Sequence, residues 1–333
     1  MIDLIIPTYK NKQGLRTTLN SIPNEALSSM TITVIDDASD ISYHDISEDF
    51  PFIRFFSLTK NSGPGVVRQY GIEHTCEPYI MFIDTGDYFL DTFNKIFDII
   101  NENKDIDIFK WRFYLKEIDK VKISKDNNNN LHGKIYKRAF IEKYNICFSE
   151  KGSYGNEDIG FNQLCRLISL QYNKDKINYI QFEDIIMVYD KRDMTSITRK
   201  GERAFIHKEQ NLALAYNAIH VCKHAAKNGV SAAILEDYAA NIMGSEYYYF
   251  IRTITERPEF AQEAWEGARY FYLNYYKNMP ENKSLSNITY TRIIKQLKEQ
   301  NKNIELNFSI NILRFMDELN NNEIVPQYYL TSN

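Results

Sequence analysis

PYIMFIDTGDYF, residues 78–89, is an apolar run that ends on two aspartates, Asp84 and Asp87, three positions apart. A buried strand gains nothing by finishing on two like charges. Either the pair flanks a turn in which Gly86 takes a positive φ, or it holds something cationic. The surrounding chain weighs on that choice. LIIP (4–7), TITVID (31–36), FIRFFS (52–57), YIMFID (79–84) and DIFKWRFY (107–114) read as strands. LRTTLNSI (15–22), GVVRQYGIEH (65–74) and TFNKIFDII (92–100) read as helices between them. Such alternation predicts a mostly parallel α/β sheet covered on both faces. Ligands in these sheets sit at the carboxyl ends of strands, where Asp36, Asp37, Asp84 and Asp87 all fall.

Further along, KDNNNN (125–130) reads as a polar loop, and INYIQF (177–182) and IIMVYD (185–190) as two more strands. From about residue 201 helical spacing takes over, over 203–227, 231–255, 259–277, 284–300 and 308–319, with a break at Gly229. The expected organisation is an α/β domain over 1–200 and an α-helical domain over 201–333.

Composition narrows the class. Of the 333 residues 44% are apolar, enough for a substantial core, and the formal charge of −4 argues against a general nucleic-acid binder. No apolar run is long enough to span a bilayer, and MIDLIIPTYK reads as a strand rather than a signal peptide. Cys76, Cys147, Cys165 and Cys222 form no CxxC pair and read as reduced core residues of a cytoplasmic protein. The Asn, Lys, Ile and Tyr content suggests an AT-rich genome, bacterial or phage. One segment departs from neutrality: residues 110–143 carry ten Lys/Arg against four acids. It reads either as a solvated hairpin and helix face or as a surface for an anionic acceptor.

Other residues have chemistry of their own. Asn61, Ser62, Gly63 and Gly65 precede a helix, where glycine allows close backbone approach and free N–H groups can meet a phosphate. Arg68 lies one turn further on. Glu157 and Asp158 open a helix in GNEDIGFNQL (155–164), where acids suit the helix dipole and where a carboxylate could also serve as a base. His220 and His224 are four apart on a helix but lack the Glu of a zinc-protease motif, and read as surface or inter-helix residues.

Taken in order, IIPTYKNKQGLRTTLNSI, VIDDAS, NSGPGVVRQYGI, PYIMFIDTGDYF and GNEDIGFN resemble family 2 glycosyltransferases of the GT-A fold, over roughly residues 1–200. The resemblance implies a nucleotide-sugar donor, UDP-linked by preference, and an inverting, metal-dependent transfer. Pro7, Thr8 and Tyr9 would line the base, with Tyr9 stacking. Asp37 would accept from uracil N3–H, while Asp36 braces its loop. Asn61, Gly63, Arg68, Asp84 and Thr85 would face the nucleotide or diphosphate. Mn²⁺ or Mg²⁺ would sit on Asp84 and Asp87, since a leaving diphosphate is stabilised by a divalent ion on oxygen ligands. The family's motif is often D-x-D-D, and here Gly86 replaces one carboxylate. Asp193, where relatives often carry a metal-binding His, is a candidate replacement. Asp158 would be the base and Glu157 would meet the acceptor hydroxyl or the backbone. His132, Lys134 and Arg192 would touch acceptor or diphosphate. The acceptor is expected to be a surface glycan or a lipid-linked precursor, which would place the protein in the cytoplasm, with a peripheral position at the membrane as the alternative. The basic segment and phage-like composition keep a modified DNA base, in a host cytoplasm, as an alternative. Gly86 keeps open a catalytically inactive nucleotide-sugar-binding module.

Overall fold

The computed structural model describes residues 1–124, 130–173, 178–192, 212–279 and 312–330. The chain divides into two compact units, Met1–Lys200 and Gly201–Asn333.

Among the described residues of the first unit nine strands form one sheet: β1 Ile2–Thr8, β2 Met30–Asp36, β3 Ile53–Ser57, β4 Tyr79–Phe82, β5 Tyr88–Phe89, β6 Ile108–Lys116, β7 Val121–Ile123, β8 Lys134–Lys137 and β9 Tyr179–Asp190. Their order is β3-β2-β1-β4-β8-β6-β9-β5, with β7 on β6. The β3-β2-β1-β4 half is parallel, and β1, β2 and β4 are near-continuously buried, as strands of a sheet covered on both faces are. Beyond β4 the sheet is mixed: β8 is antiparallel to both β4 and β6, and β9 is parallel to β6. The two strands expected at 177–182 and 185–190 are one. β9 runs unbroken through 179–190, and its register against β6 shifts around Arg112. A bulge disturbs the apolar pattern locally without ending the strand, so the sequence reads as two pieces.

Helices in this unit are α1 Lys12–Asn20, α2 His44–Asp49, α3 Gly63–Glu73, α4 Ile96–Glu102, α5 Arg138–Lys143 and α6 Glu157–Tyr172. Two contacts set the helices that matter for the site. Gly71 lets α3 lie close on the sheet, since a Cβ there would come within 2.5 Å of the Ile5 side chain and 2.9 Å of Ile35. α6 is seated by Phe161, which stacks on Phe148 at 4.3 Å and meets Phe82 and Tyr136 edge-on.

The second unit is helical where described: α7 Ala213–Lys227, α8 Ala232–Glu256, α9 Ala261–Asn274 and α10 Ile312–Asn321. Trp265, Phe250, Phe271 and Phe315 are fully buried in its core. Gly229, at φ +74°, ends α7 with Val230 N–H donating to Ala225 O and Gly229 N–H to Ala226 O, the Schellman pattern. The helix expected at 284–300 lies outside the described residues. No described helix is long and apolar enough to cross a membrane. The cysteine expectation needs correcting. Cys165 and Cys222 are buried, but Cys147 is half-buried and Cys76 is exposed, and none of the four forms a disulfide.

Candidate active site

β4 ends at Phe82, and Asp84–Asp87 forms a turn closed by Asp87 N–H to Asp84 O. Gly86 takes φ +101°, so a glycine is required there on backbone grounds. Helix α1 fixes this turn from below: Gly86 N–H donates to Thr18 Oγ1 at 3.0 Å, and Thr18 Oγ1 donates to Asp87 O at 2.7 Å.

Arg68, buried on α3, joins the turn to α6. Its guanidinium donates to Asp84 Oδ1 at 2.6 Å and to Glu157 Oε1 at 2.7 Å. His132, from the turn before β8, places Nε2 2.9 Å from Asp87 Oδ2 and 3.8 Å from Asp84 Oδ2. Asp87 Oδ1 accepts from Asp190 N–H at 3.0 Å. Asp158 follows Glu157 on α6, and its backbone carbonyl is tied through Asn162 to the Tyr136 hydroxyl. Four carboxylates, one arginine and one histidine therefore share one end of the sheet.

The electrostatics follow from that crowding. Burial lifts the Glu157 carboxyl to about 7, even against Arg68. Asp158 is raised as well, by burial outweighing Arg68 and the Ile159 N–H. Burial raises Asp87 too, against its pairing with His132. Asp84 goes the other way. Burial would lift it, but Arg68 and His132 prevail, and 41% of its side chain is open to solvent. Burial would lower His132, but Asp87, Asp84 and Asp158 together raise it.

The cluster also contains unmet bonding capacity. Asp87 Oδ2, both ring nitrogens of His132 and Arg68 Nε are buried without a hydrogen-bond partner among the described residues. Ligand atoms of Asp84, Asp87 and His132 lie within 4.8 Å of one another, which fits a divalent cation. These residues would hold such an ion.

Other expected residues are placed differently. The N–H groups at the start of α3 are not free for a phosphate. Asp37 accepts from Ser62 and Gly63 at 2.7 and 2.8 Å, and Ser153 accepts from Gly65 and Val66. Gly63 and Gly65 are needed for this docking, since a Cβ at either would crowd Ser153 within 3.1 Å. Asp37 is buried and its carboxyl is raised by burial, against those two amides. Asp36 accepts from Ser39 N–H and Oγ, bracing the loop. Asn61 donates to Asp37 O and accepts from the Tyr154 hydroxyl. Thr8 contacts the Tyr43 hydroxyl at 3.2 Å, Pro7 is half-buried, and Tyr9 is 44% exposed at the end of β1. Thr85 lies in the turn, bridged to Asp87. Lys134 is buried on β8 and donates to Asn130 O. Arg192 folds onto Asp190 at 2.6 Å. Asp193 lies outside the described residues. A cavity of about 630 Å³ opens beside the cluster's edge of the sheet, lined by Asp36, Ser39, Tyr43 and Ser57. It takes in none of the clustered carboxylates. Sequence reading missed Ser153 and Thr18; serine and threonine carry no signal until their backbone partners are known.

The basic segment 110–143 is not one surface. Lys110, Lys134 and Arg138 are buried, Arg112 pairs with Glu183, and Lys120 and Lys122 pair with Glu117.

A parallel β3-β2-β1-β4 half running into mixed strands, with a strand-end aspartate turn bridged to a helix-start acid pair, defines a GT-A fold. Residues 3–154, a little under half of the chain, match the model of Glycosyl transferase family 2, and the N-terminal unit belongs to that family. "Putative glycosyltransferase EpsH" of Bacillus subtilis is 24% identical over 224 residues, covering 57% of this chain and 64% of that protein. "Uncharacterized glycosyltransferase YibD" of Escherichia coli is 26% identical over 111 residues, 32% of each chain. The chain thus spans under two thirds of these relatives. Among solved structures, S. aureus TarS 1-349 superposes with a TM-score of 0.58 at 16% identity, over 81% of this chain and 80% of that one.

Proposed function

We propose that the N-terminal unit transfers a sugar from a nucleotide sugar to a hydroxyl acceptor, with inversion at the anomeric carbon. The observation that carries this is the Arg68 bridge, which unites the Asp84–Asp87 turn with the Glu157–Asp158 helix start. A donor diphosphate and an acceptor hydroxyl have to meet at one point, and these two segments supply the groups each needs.

Asp158 is the base. It lies beside the cluster with a raised pKa, and a base nearer neutrality removes a hydroxyl proton more effectively than an ordinary carboxylate. Glu157, held by Arg68, orients the acceptor side. Arg68 faces the diphosphate once donor binding redistributes its contacts. A divalent ion, Mn²⁺ or Mg²⁺, would be held by Asp84 and Asp87 and would supply positive charge against the leaving diphosphate. The nucleoside would lie against Tyr9 and Asp37. UDP is the preferred nucleotide, since TarS structures are described in complex with UDP and with UDP-GlcNAc. The acceptor class fitting this reading is a surface glycan or its precursor. A DNA acceptor loses its main support, because the basic segment that suggested it is divided between core and ion pairs.

The test is UDP-sugar turnover with Mn²⁺ in the intact chain. Hydrolysis or transfer that EDTA abolishes supports the reading. Binding of a nucleotide sugar with no turnover would leave the inactive-module reading instead.

A further inference from the structure

Gly86 removes a carboxylate from the D-x-D-D pattern, and a Cβ at that position would meet no heavy atom within 4 Å. The turn therefore leaves open space where the missing side chain would project. His132 reaches the same two aspartates from a different strand connection. Its ring is nine-tenths buried, stacked at 4.2 Å on Tyr189 and 5.6 Å from Phe113, so its direction is fixed.

Nε2 and Oδ2 are 2.9 Å apart, an ion-pair distance, and neither atom has any other hydrogen-bond partner among the described residues. Adjacent ligands of an octahedral ion at about 2.1 Å lie about 3 Å apart, the separation this pair already has. Asp84 Oδ2, at 3.8 Å from Nε2 and on a side chain 41% exposed, has room to close onto the same point. Charge favours the same occupant. Asp84, Asp87, Glu157 and Asp158 outnumber Arg68 and His132, and a diphosphate would meet net repulsion without an added cation.

Building on the transferase reading, we propose that Asp84 Oδ2, Asp87 Oδ2 and His132 Nε2 hold one divalent cation, with His132 supplying the ligand that Gly86 lacks. One imidazole nitrogen among carboxylates selects Mn²⁺ over Mg²⁺, which keeps to oxygen and water. His132 is then a metal ligand rather than a contact for the acceptor.

The experiment is Mn²⁺ titration of the intact, tag-free chain with UDP present, followed by electron paramagnetic resonance with detection of ¹⁴N coupling. The wild type should bind one Mn²⁺ that shows ¹⁴N coupling. His132→Gln should lose the coupling and bind at least about tenfold more weakly, since even outer-shell partners of metal ligands cost about 10–100-fold. Wild-type Mn²⁺ without ¹⁴N coupling, undiminished binding in His132→Gln, or no bound Mn²⁺ would each overturn the assignment. If the variant does not fold, the wild-type coupling alone decides. Thermal shift by UDP-sugar in EDTA, run in parallel, reads donor binding separately. A shift there with no ¹⁴N coupling removes the His132 ligand and leaves the transferase reading standing.

Discussion

Two arginines lie buried against carboxylates at opposite ends of the same strands, and they are completed differently. At the amino end Arg138 has an acceptor for every nitrogen: Glu77 O, Ile72 O, Thr75 Oγ1 and Asp3 Oδ2. Asp3 Oδ2 also accepts from Glu77 N–H at 2.6 Å, and only Asp3 Oδ1 lacks a partner among the described residues. At the carboxyl end Arg68 has two carboxylates, but its Nε has no hydrogen-bond partner among the described residues, and neither do Asp87 Oδ2 and the His132 ring, which meet only as an ion pair. The first cluster is finished by folding and pins β1 to β4 and β8. The second keeps bonding capacity over, which the proposed function assigns to a ligand. A buried charge marks function when its neighbours leave bonding capacity over, not by being buried.

The largest expected effect breaks the carboxyl-end cluster without touching the fold. Asp158→Asn should lower transfer by about 10²–10⁴-fold while UDP binding and thermal stability stay near wild type. Unchanged turnover would remove Asp158 from the role of base. Arg138→Met tests the other end. It strands Asp3 in the core, so a loss of about 3–5 kcal/mol in urea unfolding is expected. Arg68→Met should cost less stability, because Glu157 takes up a proton near pH 7 and Asp84 is partly solvated, yet it should abolish turnover. Equal stability losses for the two arginines would erase the contrast.

Glu246 in the helical unit extends the comparison to a buried carboxylate whose Oε1 is unpartnered among the described residues. Burial raises it from 4.5 to about 8. The unfolded chain ionises near 4.5 while the folded chain keeps the proton until about 8. Stability therefore falls as pH rises through that window and levels off above it. Glu246→Gln should flatten the slope, with a gain of roughly 5 kcal/mol at most by pH 8.5, at about 1.4 kcal/mol per unit, and little change at pH 4. A slope that persists in melts of the variant would assign it to other groups. The smallest effect is Gly71→Ala, which forces a methyl against Ile5 and should cost about 1–3 kcal/mol. The shift of α3 that carries Arg68 should also weaken UDP binding.

Much of this was legible in the sequence, for local reasons. β1 to β4 follow from apolar runs, α7 from Gly229, and the Asp84–Asp87 turn from Gly86. What was not legible depends on partners distant in sequence. The α3 N–H groups looked free because Asp37 and Ser153 lie 26 and 87 residues away from the groups they accept from. The basic run 110–143 looked like a surface because charge is visible in sequence and burial of Lys110, Lys134 and Arg138 is not. β9 looked like two strands because a bulge interrupts its pattern. His132 was legible as polar and near the acid motif, but its aim at Asp87 comes from β8 and the stacked Tyr189.

The central claim is that the carboxyl-end cluster is completed by a nucleotide sugar with a divalent ion. Thermal denaturation across a panel of nucleotide sugars, with and without Mn²⁺, tests it most directly, since a ligand that binds only the folded state raises its apparent stability. The account predicts that a UDP-sugar raises the midpoint, that Mn²⁺ enlarges the rise, and that Asp84→Asn removes the Mn²⁺ increment. A panel in which no nucleotide sugar moves the midpoint, with or without Mn²⁺, would contradict it.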